Sequence, residues 1–122
     1  MKFNHVTLSV SNLEASLRFY QEIVGLEIIL QFSAGPGRDI AILGSGDTEV
    51  ELIGGADNND NEMGKGVSLG FLSESLEDTI ALLRSKGYAT DGNILSPMPG
   101  ISFFFASDPD GYTVQFMKVV NQ

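Results

Sequence analysis

Apolar and polar positions alternate at the start of the chain. Val6, Leu8 and Val10 fall on one side, and His5, Thr7 and Ser9 on the other. A period of two predicts a half-buried strand over residues 3–10. The period then lengthens. Leu13, Leu17, Tyr20 and Val24 recur at helical spacing, Ser11 stands three residues before Glu14 as a capping box, and Gly25 supplies the stop. Strands are predicted at 26–32 (LEIILQF), at 39–43 (DIAIL) after the loop SAGPGR, and at 49–53 (EVELI) after the turn GSGD.

This order then recurs. Residues 4–16 overlie residues 67–79 with an offset of 63, matching Val6 to Leu69, Leu8 to Phe71 and Leu13 to Leu76. TEVELI (48–53) overlies YTVQFM (112–117) with an offset of 64. Two matched segments in the same order argue for a duplicated unit. The second copy reads as a strand at 67–72 and a helix from Leu76 to Lys86 with Ile80 and Leu83 on its apolar side, stopped by Gly87. Strands follow near 88–91, 101–106 and 112–119, the last entered through the turn SDPDG (107–111). The Gly-, Asn- and Asp-rich stretch at 54–66 reads as a linker, and it lacks the ordered ligands and final Glu of a calcium loop. The expected fold is α+β: two tandem β-α-β-β-β units in a single domain 1–122 (unit one 1–54, linker 55–66, unit two 67–122), forming a curved mixed sheet.

Composition narrows the function classes. The 122 residues suffice for a real core, and 43% of them are hydrophobic. No apolar run approaches the roughly 20 residues of a membrane span, and MKFNHV starts a strand with no signal-peptide core. The absence of cysteine excludes disulfides, thiolate metal sites and thiol nucleophiles. A cytoplasmic protein is expected. The net charge of −9, with seven scattered Lys and Arg, offers no basic stripe for nucleic acid.

Chemistry concentrates on one sheet face. Residues two apart share a face, so His5, Thr7 and Ser9 point away from the apolar side of the first strand, and Glu49, Glu51 and Ile53 do the same in theirs. By the repeat, Ser68, Gly70 and Leu72 share that side, as do Thr113, Gln115 and Met117. His5 is then the pseudo-equivalent of Ser68, and Glu51 of Gln115. If the strands curl into a cup, these four side chains meet at its floor. An imidazole and a carboxylate suit a divalent ion such as Zn, Ni, Mn or Fe, Gln115 offers a carbonyl oxygen, and Ser68 a weak hydroxyl contact. The plainer alternatives are a hydrogen-bonded surface histidine and a solvated Glu51 on an edge strand. Phe103, Phe104 and Phe105 alternate, so at least one should face the cup, with Phe104 the candidate. Arg38, in the loop before strand 39–43, is either a clamp for a ligand carboxylate or phosphate or simply solvated.

The paired β-α-β-β-β units, the early His5, the VEL that closes unit one, F-Y-x-x-x-x-G-L (Phe19, Tyr20, Gly25, Leu26) and DPDGY (108–112) resemble the vicinal oxygen chelate superfamily over nearly the entire chain. That superfamily includes glyoxalase I, fosfomycin-resistance enzymes, extradiol dioxygenases and bleomycin-binding proteins. The resemblance implies metal positions at His5, Glu51, Ser68 and Gln115. The third is usually His and the fourth usually Glu, so unit two departs at both. It also implies a homodimer. The expected function is a glyoxalase I-like lyase or isomerase acting on a small oxygen-chelating substrate, with an incomplete metal site. Its metal positions would be His5, Glu51 and Gln115, with Glu51 as the base and Thr7, Ser68, Phe104 and Arg38 near the substrate. The alternative is a metal-free small-molecule or drug-binding protein of the bleomycin-resistance type.

Overall fold

A computed structural model of the chain describes residues 3–44, 48–54 and 67–120. The linker read at 55–66 and residues 45–47 of the GSGD turn lie outside them. The chain divides into two compact units, Met1–Met63 and Gly64–Gln122. Among the described residues no helix is long and apolar enough to cross a membrane.

Unit one runs β1 (His5–Val10), α1 (Leu13–Arg18), β2 (Glu27–Ser33), β3 (Asp39–Gly44) and β4 (Glu49–Gly54). Its four-stranded sheet has the order β1-β4-β3-β2, with β1 and β4 parallel and the other pairs antiparallel. The alternation read from the sequence sorts the two faces. Leu8, Val10, Val50 and Leu52 are buried, together with Ala41 and Leu43 of β3. Helix α1 lies against β3 and β4 and contributes Leu17 to this core.

The helix differs from the expectation at both ends. Its cap is Asn12 rather than Ser11: Asn12 is extended, and its Oδ1 accepts the Ala15 N–H at 3.0 Å. Asn and Ser cap equally well, so the backbone angle decides between them. Beyond Arg18 the chain continues as a π turn over Phe19–Ile23, with the Val24 N–H bonded to the Phe19 carbonyl. The wider turn sends the adjacent Phe19 and Tyr20 both into the core, fully buried and edge to face at 5.1 Å. Gly25 ends the segment at φ 84°, a left-handed conformation that favours glycine.

Unit two runs β5 (Ser68–Leu72), α2 (Leu76–Ser85), β6 (Leu95–Met98), β7 (Ile101–Ser107) and β8 (Thr113–Val119). Its sheet order, β5-β8-β7-β6, repeats that of unit one. Ser75 caps α2 by accepting the Asp78 N–H, and Leu76, Ile80 and Leu83 are its buried stripe. The strand expected near 88–91 stands instead at 95–98. Thr90 makes one bridge to Ala106, and its hydroxyl donates to the Phe105 carbonyl while accepting the Gly92 N–H. Those local bonds, and the left-handed Gly92 at φ 66°, stop the pairing after a single bridge.

Phe104 is not a ligand-facing residue. It pairs with Phe116, is fully buried, and stacks on that ring at 5.3 Å. Phe103 and Phe105 take the opposite face, in register with Met117 and Gln115. At the end of β7 the buried Asp108 accepts the N–H groups of Asp110 and Tyr112 on one carboxylate oxygen, both at 2.9 Å.

Two stability outcomes follow from these contacts. Phe104→Ala should lower the unfolding free energy by about 3–5 kcal/mol, whereas Phe105→Ala should cost under about 1 kcal/mol. Asp108→Ala strands two backbone donors and should cost about 1–3 kcal/mol. Urea unfolding of the three variants checks all of this, and equal losses at 104 and 105 would reverse the assignment of faces.

Candidate functional site

Parallel pairing builds the polar cluster of unit one. In the register of β1 and β4, His5 stands beside Glu49, Thr7 beside Glu51 and Ser9 beside Ile53. All six face away from the buried side chains of their strands. The Thr7 hydroxyl donates to Glu51 Oε1 at 2.7 Å. His5 lies two residues upstream and one strand across from Glu51, a Cα separation of about 8 Å from the strand spacings. Its ring is exposed, with Nδ1 at 2.8 Å from the Asn4 carboxamide. That contact serves either tautomer: the amide nitrogen donates to a bare Nδ1, and the turned amide oxygen accepts from a protonated one. The second arrangement frees the Nε2 lone pair for an ion.

The open face continues across the sheet as apolar surface. Glu51 pairs with Ile42, and Ile42 with Leu30 of the edge strand β2. The carboxylate therefore has a hydroxyl on one side and hydrocarbon on the other. Among the described residues, no three His, Cys, Asp or Glu side chains gather as a metal-holding group.

Ser68 and Gln115 occupy the matching positions of unit two. Gly70 stands beside Gln115 where unit one has Thr7 beside Glu51. Phe105 neighbours Gln115 on β7 and meets Phe103 edge to face at 5.5 Å. An open cavity of about 500 Å³ lies here, with Tyr88, Thr90, Phe105 and Thr113 among its lining residues.

Of the residues singled out in the sequence, the structure brings Thr7 and Glu51 into contact and sets His5 on their face. Arg38 does not join them. It is exposed in the β2–β3 loop, four residues from Ile42, or about 13 Å along an extended strand. Two neighbours escaped the reading. Asn4 precedes His5, and adjacent strand residues ordinarily point to opposite faces, so alternation argued against a contact. Phe105 was one of three consecutive phenylalanines that alternation alone does not tell apart.

Comparison with known proteins identifies the family. Residues 2–116 match the family model of the Glyoxalase/Bleomycin resistance protein/Dioxygenase superfamily. The chain is 32% identical to a lactoylglutathione lyase of Neisseria meningitidis serogroup A, over 97% of this chain and 91% of that one. The trypanothione-dependent glyoxalase I of Leishmania major has the same fold, with a TM-score of 0.80 at 20% identity over 97% of this chain and 86% of that one. So does TnmS3, an antibiotic binding protein from Streptomyces sp. CB03234, with a TM-score of 0.74 at 22% identity over 98% and 97% of the two chains. The shared family model, the two β-α-β-β-β units and the relatives agree: the chain belongs to the glyoxalase/bleomycin resistance protein/dioxygenase superfamily.

Proposed function

We propose that this chain is a glyoxalase-like lyase or isomerase that takes a small molecule with adjacent oxygens on the open face of unit one, with Glu51 as its proton-transfer group. The observation that carries the reading is the Thr7–Glu51 pair at 2.7 Å on the same face as His5. A hydroxyl, a carboxylate and an imidazole project there from strands whose other face is core. The 32% identity to a lactoylglutathione lyase supports the same reaction class.

The donor set bears on the metal. Imidazole and carboxylate fit Zn, Ni, Mn or Fe, and His5 and Glu51 are the residues that would hold the ion. Catalytic zinc usually keeps three protein ligands, so two make a weak site with open positions for water and substrate oxygens. Such an ion, when bound, polarises the substrate's oxygens as a Lewis acid.

The proton chemistry belongs to the protein. One oxygen of Glu51 accepts from Thr7; the other would leave the ion during turnover and so be free to take the proton from a carbon beside a carbonyl. The electron pair of that C–H bond moves toward the carbonyl; Glu51 then returns the proton to the former carbonyl carbon, while the adjacent hydroxyl becomes the new carbonyl and its O–H proton passes to the neighbouring oxygen. Gln115 has no basic group to share this task. In the same reading the chain works as a cytoplasmic homodimer, supported by the lack of cysteine and by Ile28, Ile29, Leu30 and Phe32 exposed along edge strand β2.

A second reading has its own observation. Phe105, which meets Phe103 edge to face, lines the 500 Å³ cavity of unit two together with Tyr88; this aromatic surface suits a planar ligand and favours drug binding without metal or turnover.

Thermal unfolding with Ni²⁺ or Mn²⁺ separates the two. At a hundred times its dissociation constant the ion should add roughly 3 kcal/mol of stability, and His5→Ala should remove that gain. Lactoylglutathione turnover should fall on the order of 100-fold or more in Glu51→Gln. A wild-type chain indifferent to the ion and to lactoylglutathione, yet binding planar aromatic drugs through Phe105, would decide for the second reading.

A further inference from the structure

We infer that Thr7 is a positioning residue: its hydroxyl holds one oxygen of Glu51 so that the other stands free on the open face of unit one. The role given to Glu51 rests on the proposed function, whereas the geometry of the pair stands apart from it. Three observations carry the inference. The first is the bond itself. At 2.7 Å, with a carboxylate that only accepts, the hydroxyl is the donor and the bond is charge-assisted. The second is stiffness. A glutamate turns about three torsions, and its carboxylate wanders when unheld. Thr7 is β-branched, restricted at its one torsion, and directly beside Glu51 in the parallel register.

The third is the contrast with unit two. The position matching Thr7 is Gly70, beside Gln115. A Cβ built there would lie 3.8 Å from Gln115 Oε1 and 4.0 Å from Met117 Sδ, in ordinary contact. The sheet therefore accepts glycine at this register and has room for more. Thr7 is itself exposed and outside the core. Packing does not call for a threonine, and the carboxylate beside it does.

Thr7→Val keeps the shape and the strand preference and deletes the donor, and Thr7→Ser keeps the donor. In metal-free protein the side-chain carboxyl ¹³C resonance of Glu51 should move in Thr7→Val and return toward the wild-type position in Thr7→Ser. Ni²⁺ affinity by calorimetry should weaken on the order of 10-fold in Thr7→Val, and Thr7→Ser should recover it. An unmoved Glu51 resonance in a folded Thr7→Val variant overturns the inference, as does an unchanged Ni²⁺ affinity. If the wild-type chain takes up no Ni²⁺, the metal reading fails, and the carboxyl resonance alone decides for or against Thr7.

Discussion

Parallel pairing of the first and last strands of each unit is the constraint on which the rest of the structure depends. Parallel neighbours need a long connection, and here it comprises the helix and the two intervening strands. It brings Glu51 beside Thr7 across 44 positions of sequence. Because side chains alternate, a slip of one residue would turn Glu51 into the core and Val50 and Leu52 out of it. The buried face therefore holds the polar face in place: Leu8, Val10, Val50 and Leu52 have no other favourable register.

The two units share this constraint and diverge in what they present. Each has the strand order first, fourth, third, second. Unit one offers an imidazole, a hydroxyl and a carboxylate along its first and last strands, while unit two offers a hydroxyl, a bare glycine and a neutral amide. The polarity lost in unit two is replaced by aromatic surface, with Phe103 and Phe105 lying against Met117 and Gln115. A duplicated scaffold thus carries an ionic pole in one copy and a stacking surface in the other.

Much of this was legible in the sequence because the signals were periodic. The faces of β1, β4, β5 and β8 follow from alternation, and Ile80 and Leu83 from helical spacing. What was not legible depended on choices that periodicity leaves degenerate. Ser11 and Asn12 cap equally well, and only the extended backbone of Asn12 decides. Phe103, Phe104 and Phe105 carry no contrast of polarity, so the face of each is fixed by pairing with β8. Thr90 looked like a strand residue, but its hydroxyl bonds to local backbone and limits the pairing to one bridge. The faces of Thr7 and Glu51 could be read, whereas the bond between them needed the third dimension.

The π turn at Phe19–Ile23 marks a difference in length between the two units. Twelve residues separate Leu13 from Gly25, and eleven separate Leu76 from Gly87, though both glycines close their helices at nearly the same left-handed φ, 84° and 82°. Unit one has thus one residue more in a segment that does the same task. A turn closed by a five-residue rather than a four-residue step absorbs one surplus residue without displacing the strands on either side. The extra residue falls where Phe19 and Tyr20 are both fully buried.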